Sequence, residues 1–209
     1  MAVTAGTPTN IAPLSARLWP AAGLNPALRA VLLIAFGSLL LTISAKIKVP
    51  FYPVEMTMQT FVVLLIGATY GWRLALATIG VYLAQGAFGM PVFTGTPEKG
   101  LGLAYMMGPT GGFLIGFAVA GAIAGWLAER GAVKSVVTLF GALLLADAAL
   151  FAIGYLWLAF GAVLPNGATG IGMENAFKFG VLPFVLGDLF KIGLATAIVA
   201  LGWKAADAR

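Results

Sequence analysis

The chain has no cysteine and no histidine among its 209 residues, and only 9% of it is charged. Without cysteine there is no disulfide framework and no thiolate chemistry. Without histidine the commonest acid–base group and metal ligand is also missing. A zinc site of ordinary type is therefore excluded, and no Ser–His pair exists for acyl transfer. The chain also lacks a GxxxxGK[ST] phosphate loop, so it does not hydrolyse ATP in the usual way. One enzyme-like pairing remains, an aspartyl dyad of Asp147 and Asp188, but counting along their helices puts the two at different depths. No enzyme activity and no cofactor are expected. Soluble domains carry about 25% charged residues. This chain is 61% hydrophobic with a mean hydropathy of +1.00, which reads as an all-α polytopic membrane protein with one domain. The net charge of +5 says nothing of nucleic acid here, because in a membrane chain the position of each Lys and Arg counts more than their sum.

Six apolar runs are long enough to be read as crossings, at 28–45, 54–70, 72–88, 110–128, 135–164 and 179–203. A crossing needs about 20 residues, within a range of about 17–25. The second and third are short and the fifth is long enough to tilt or project. Residues 1–25 read as a loose tail, 26–205 as the six-helix domain and 206–209 as a second tail. No signal peptide is expected, because the first run ends without a small-x-small cleavage pattern. Arg17, Arg29, Arg73, Arg130, Lys134, Lys204 and Arg209 fall on the side of the termini, against Lys46, Lys48, Lys99 and Lys178 on the other. Seven against four predicts cytoplasmic termini. Trp19, Trp72, Trp126 and Trp203 gather at the same edge, as an interfacial belt does.

The opposite side holds two segments unlike ordinary loops, 46–59 and 89–112. The second carries seven glycines and three prolines in 24 residues and is too apolar to lie in water. Non-helical backbone at a membrane is tolerated where it is buried in protein or lines a cavity. Both segments are read as walls or a lid over an outward pocket.

Asp188 and Lys191 interrupt the sixth run. A charge at mid-bilayer costs about 2.5–3.5 kcal/mol or more. At a spacing of three, both side chains lie on one helix face. A ligand site, an internal ion pair and a proton relay all fit that spacing. Ten residues from Lys178 down to Asp188 amount to about 15 Å of helical rise, the floor of an outward pocket. Asp147 reads as a helix-to-helix contact, too deep on the terminal side to meet a ligand. Thr57 is a candidate N-cap, and Gln59 is a buried amide that needs partners. Tyr82 and Gln85 share a face of the third run, and Tyr155 lies on the outer half of the fifth. Gly112, Gly116, Gly121 and Gly125 stripe the fourth run, a sign of close backbone approach.

Several stretches together resemble one family. They are VPFYPVEMTMQTFVVLLIGATYGWR (49–73), GMPVFTGTPEKGLGLAYMMGPTGGFLIGF (89–117), GYLWL (154–158) and GVLPFVLGDLFKIGLA (180–195). The chain is similar to the BioY family, the biotin-specific substrate-binding (S) components of energy-coupling-factor (ECF) transporters. The resemblance implies a six-helix S-component fold and an outward pocket closed by the first outer loop. It implies that Asp188 and Lys191 contact biotin, whose ureido ring offers N–H donors to a carboxylate and a carbonyl to an ammonium. Such charge-assisted bonds are about twice as strong as neutral ones. Gln59, Thr57, Tyr82, Gln85, Phe93 and Tyr155 complete the expected site, with Phe51 as a further apolar wall and Lys46, Lys48 or Lys99 near the ligand carboxylate. High-affinity biotin uptake across a bacterial inner membrane follows, with a transmembrane T component and ATPase subunits as partners and lipid around the bundle. A homo-oligomer is left open. The small-residue docking motif of the first helix departs from the family pattern, since only Ser38 and Thr42 stand there. A proton-coupled or solitary secondary vitamin transporter is the alternative.

Overall fold

The computed structural model describes residues 11–20 and 25–208. Residues 1–10, 21–24 and 209, parts of the two expected tails, lie outside the described residues. Helices α1 (Leu14–Leu18), α2 (Pro26–Lys46), α3 (Gln59–Tyr70), α4 (Trp72–Ala87), α5 (Gly102–Met106), α6 (Gly111–Glu129), α7 (Val136–Phe160), α8 (Met173–Gly180) and α9 (Val185–Asp207) follow in order. Two short strands, β1 (Lys48–Val49) and β2 (Met56–Thr57), pair antiparallel between α2 and α3. Among the described residues, four stretches are helical, apolar and long enough to cross a membrane: α2, α6, α7 and Met173–Asp207, which takes in α8 and α9.

Helix α6 is the axis of the bundle, packed on α3, α4 and α7. Its glycine stripe explains how. A Cβ on Gly112 would meet the Trp157 side chain at 2.1 Å, and one on Gly116 the Leu150 backbone oxygen at 2.9 Å. Lower down, a Cβ on Gly125 would meet the Trp72 nitrogen at 2.4 Å. The upper glycines thus seat α7 and the lowest seats the α3–α4 turn. Helix α2 lies at the edge and leaves Val31, Phe36, Leu39 and Ile43 exposed, as suits a lipid-facing flank.

The second apolar run differs from its expected extent. Residues 54–58 are not helical, and α3 begins only at Gln59. Its 12 residues rise about 18 Å, well short of a hydrocarbon core of about 30 Å. The 47–58 hairpin and the 89–110 segment, with α5 inside it, fill the space above α3 and α4. The fifth run ends at Phe160 rather than 164. The sixth run is broken. Leu182–Phe184 forms a single 3₁₀ turn between α8 and α9, because Pro183 has no backbone N–H to give and fixes its own φ. At the far end α9 continues to Asp207, so the first two residues of the expected second tail are helical. The first tail is partly structured as well. Leu14 of α1 is buried beside Gly202, the Ile11 amide donates to the Glu129 carbonyl, and Arg17 pairs with Asp207 at 2.6 Å.

Candidate functional site

At the top of α9, burial and charge meet. Asp188 lies in the first turn of that helix, where the free amides and the helix dipole favour an anion. Lys191, one turn on, donates from Nζ to Asp188 Oδ1 at 2.9 Å. Thr60 of α3 joins them. Its hydroxyl donates to the same Oδ1 at 2.6 Å and accepts from Lys191 Nζ at 3.2 Å. All three side chains are buried. The other carboxylate oxygen, Asp188 Oδ2, is buried with no hydrogen-bond partner among the described residues. An orphaned buried polar atom costs about 1–3 kcal/mol, so a fold that keeps one calls for an explanation.

Two cavities reach Asp188. The first is narrow, about 40 Å³, and Gln59, Thr57, Thr60, Lys191 and Phe184 line it along with Asp188. The second is a cleft of about 490 Å³ between α7 and the α8–α9 arm. Asp147, Phe151 and Tyr155 form one of its walls, and Val181, Asp188 and Leu189 the other. Asp147 Oδ1 is also buried and unpartnered among the described residues. Asp147, expected too deep on the terminal side to meet a ligand, thus lines the same cleft as Asp188, from α7 where Asp188 stands on α9. No hydrogen bond joins them.

A second ionic cluster, around Glu55 and Thr94, stands in the wall of the same narrow cavity. Glu55, between the hairpin strands, is reached by Lys48 Nζ and Lys99 Nζ at 3.0 Å each and by the Thr94 hydroxyl at 2.6 Å. Burial alone raises its pKa, but the bonds from Thr94, Lys99 and Lys48 together with the Lys99 charge outweigh that and bring it to about 2. Tyr105 donates to the Thr94 carbonyl, tying α5 into the cap. Lys46, expected near a ligand carboxylate, instead donates to the carbonyls of Phe93 and Thr96.

The other expected site residues fall in different places. Thr57 and Gln59 line the narrow cavity. Met58, not Thr57, holds the cap position of α3, though the Thr57 hydroxyl does accept from the Gln59 amide at 3.2 Å. Gln59 Nε2 donates to the Tyr82 hydroxyl at 2.7 Å. Tyr82 and Phe93 are fully buried, edge to face at 5.4 Å, and line neither cavity. Their part is to brace Gln59 and the cap. Gln85 is away from both cavities, accepting from the Ser38 hydroxyl of α2 at 2.6 Å. Tyr155 lines the lateral cleft and not the narrow cavity. Thr60 is the residue that sequence reasoning misses.

The BioY family profile matches residues 15–208. The chain belongs to the BioY family. The probable biotin transporter BioY of Pyrococcus horikoshii is 37% identical over 169 residues, covering 81% of this chain and 91% of that one. The biotin transporter BioY of Thermotoga maritima is 32% identical over 165 residues, covering 79% and 89%. Among solved structures, the S-component for biotin from an ECF-type ABC transporter superposes with a TM-score of 0.71 at 23% identity, over 85% of this chain and 92% of that one. The BioY fold is thus shared, and Asp188, Lys191 and Thr60 lie inside it.

Proposed function

We propose that the protein is the biotin-binding S component of an ECF-type transporter in a bacterial inner membrane. It crosses six times, with both termini cytoplasmic. The short α3 and α4 complete their crossings through the folded caps above them. The cation–aromatic pairs Arg73 on Trp72, Arg130 on Trp126 and Arg17 on Trp203 support this orientation, since they gather interfacial anchors and positive charge at the terminal end. The protein binds and carries a vitamin rather than transforming it. A transmembrane T component and ATPase subunits supply the energy, which a chain without a phosphate loop does not.

The observation that carries this reading is the buried ion pair with one carboxylate oxygen left over. Lys191 and Thr60 hold Asp188 in place through Oδ1, and Oδ2 is free to accept an N–H. The ureido ring of biotin supplies such a donor beside a carbonyl that the Lys191 ammonium matches. Apolar side chains such as Phe151 and Phe184 suit the fused thioether ring. Intramembrane ionisable residues mark ligand paths in general.

Titration calorimetry on the purified protein, with native mass spectrometry of the same sample, tests the proposal. The expected result is saturable binding of one biotin per chain, and biotin uptake by vesicles only when T and ATPase subunits are present. Absence of any biotin binding overturns it. Uptake by the reconstituted chain alone, driven by a pH gradient, overturns the energising scheme and leaves the ligand in place.

A further inference from the structure

At the end of the bundle that carries both termini, most cations are engaged by the protein itself. Arg29 donates to the carbonyls of Trp19 and Ser15, and Arg73 and Arg130 lie on the rings of Trp72 and Trp126. Lys134 and Lys204 differ. Both line a cavity of about 460 Å³ between α1, the Ala132–Lys134 turn, the start of α7 and the end of α9. Neither has an ion-pair partner among the described residues. Arg17 stands in the same lining, 4.5 Å over the Trp203 ring. The carboxylate of that lining, Asp207, is taken by Arg17 at 2.6 Å. The charge of the two lysines is therefore left over.

Trp203 is an observation of a different kind. It lines the cavity, is only 8% exposed, and its indole N–H is buried with no acceptor among the described residues. A buried donor without an acceptor needs an explanation. Two unpaired cations in the same lining narrow that explanation to an anion with an oxygen to offer. The rest of the lining selects among anions. Val133 and Val136 make an apolar wall, and the adjoining Val137 and Leu201 are 81% and 66% exposed, on helices that the proposed crossing sets in hydrocarbon. A free phosphate has no use for that half of the site. A phospholipid has, because its acyl chains can follow the apolar flank while its phosphate meets the lysines. Basic pockets between spans on the cytoplasmic side bind lipid headgroups in this way.

We propose that this cavity binds the phosphodiester headgroup of an anionic phospholipid, with Lys134 and Lys204 as counter-charges and the Trp203 indole as neutral donor. It shares no residue with the cavities that reach Asp188, and it does not depend on the biotin reading. The orientation proposed above makes it a site for the inner leaflet.

Native mass spectrometry tests the site on the purified full chain in detergent, offered equal amounts of phosphatidylglycerol and phosphatidylethanolamine with the same acyl chains. One phosphatidylglycerol per chain is expected to be retained, at about fivefold or more over phosphatidylethanolamine. Lys134→Gln with Lys204→Gln should bring that preference below about twofold. Both lysines are exposed, so the melting temperature should stay that of the wild type. Trp203→Phe, which keeps a ring under Arg17, should also lower the preference. Arg73→Gln with Arg130→Gln removes the same charge from the same end, outside the cavity lining, and should leave the preference intact. No preference in the wild type, or an unaltered one in the lysine variant or in Trp203→Phe, overturns the proposal. So does an equal loss in the lysine and arginine variants, which would make the effect one of net charge alone. Displacement of the lipid by millimolar inorganic phosphate, bound in its place, would assign the cavity to a free anion and overturn the lipid. Biotin calorimetry on the lysine variant should match the wild type, and absence of biotin binding in both would overturn the biotin reading without touching this site.

Discussion

Two carboxylates in this molecule are held by lysines, and they are held differently. Glu55, in the outer cap, has both oxygens engaged, by Lys48, Lys99 and Thr94. Asp188, between the spans, has one oxygen engaged twice and the other, among the described residues, not at all. The saturated cluster sits where water can reach its lysines, and it ties the first outer segment to the second. The unsaturated one sits buried between α3 and α9. A fold that saturates a carboxylate at its mouth yet leaves one unsaturated in its interior fits the proposed ligand contact at that oxygen. The contrast teaches that leftover hydrogen-bonding capacity, more than charge, separates a site from a clasp.

Removing a lysine from each cluster makes the contrast sharpest. Lys191→Met leaves Asp188 buried without its cation. Breaking a buried pair by taking one partner away costs about 3–5 kcal/mol. Biotin affinity by calorimetry is expected to fall at least tenfold, and the melting temperature with it. Lys99→Met removes one of three partners from a group whose lysines are partly exposed, at 34% and 47% for Lys48 and Lys99. Such pairs contribute about 0–1 kcal/mol, so affinity should stay within about threefold of the wild type. Equal effects of the two substitutions would end the distinction drawn between the clusters.

Thr60 separates the readings next. Thr60→Val keeps the shape and removes the hydroxyl that bonds Asp188 and Lys191 at once. A lost hydrogen bond to a charged group costs about 1.5–3 kcal/mol. Stability in a thermal melt should drop accordingly, with biotin affinity lowered several-fold through a less firmly held Asp188. Unchanged stability would mean that the bond to α3 does not matter.

How far the sequence reveals all this depends on the kind of residue. Asp188 and Lys191 are legible because charges in an apolar run must find each other, and the three-residue spacing says that they can. Thr60 is not legible, for a physical reason. A helical threonine usually satisfies itself on its own backbone, as Thr69 does on Leu65, Thr78 on Leu74 and Thr196 on Ile192. Nothing in the pattern marks the one threonine that reaches across instead. The cleft that Asp147 shares with Asp188 is not legible either, because it depends on how α7 packs against α9, which spacing along one helix does not give. Gln85 is misplaced because a helix face shared with Tyr82 is a necessary condition only. The Ser38 hydroxyl was nearer. The hairpin start of the second run is hidden as well, since an apolar stretch without periodicity reads as helix or cap alike.

The cap offers the smaller and more delicate test. Glu55→Gln keeps the Thr94 bond and loses the charge that draws Lys48 and Lys99, at a cost of about 1 kcal/mol. The expected consequence is kinetic: faster biotin exchange with an affinity change of a few-fold. Spin labels on cysteines placed at the exposed Val49 and Glu98 would show a broader separation between the two outer segments.

The same pair of labels reads the pH dependence of the clasp. The Glu55 carboxyl is lowered from an ordinary 4.5 to about 2 in the folded chain. A group depressed on folding stabilises the folded state fully above its unfolded pKa, and the contribution fades as pH falls through the interval between the two values. The clasp should therefore be at full strength at pH 7 and at pH 5, weaken below about 4.5, and be lost only near 2. The measured distribution should stay narrow from pH 8 to 5 and broaden between 4.5 and 2.5. Other carboxylates protonate over the same range, so Glu55→Gln is the reference. Its distribution, already broad at pH 7, should change little with acid. If the wild type broadens no more than Glu55→Gln between pH 5 and 2.5, the lysines are not held by the Glu55 charge, and the outer cap stays shut through its apolar and backbone contacts alone.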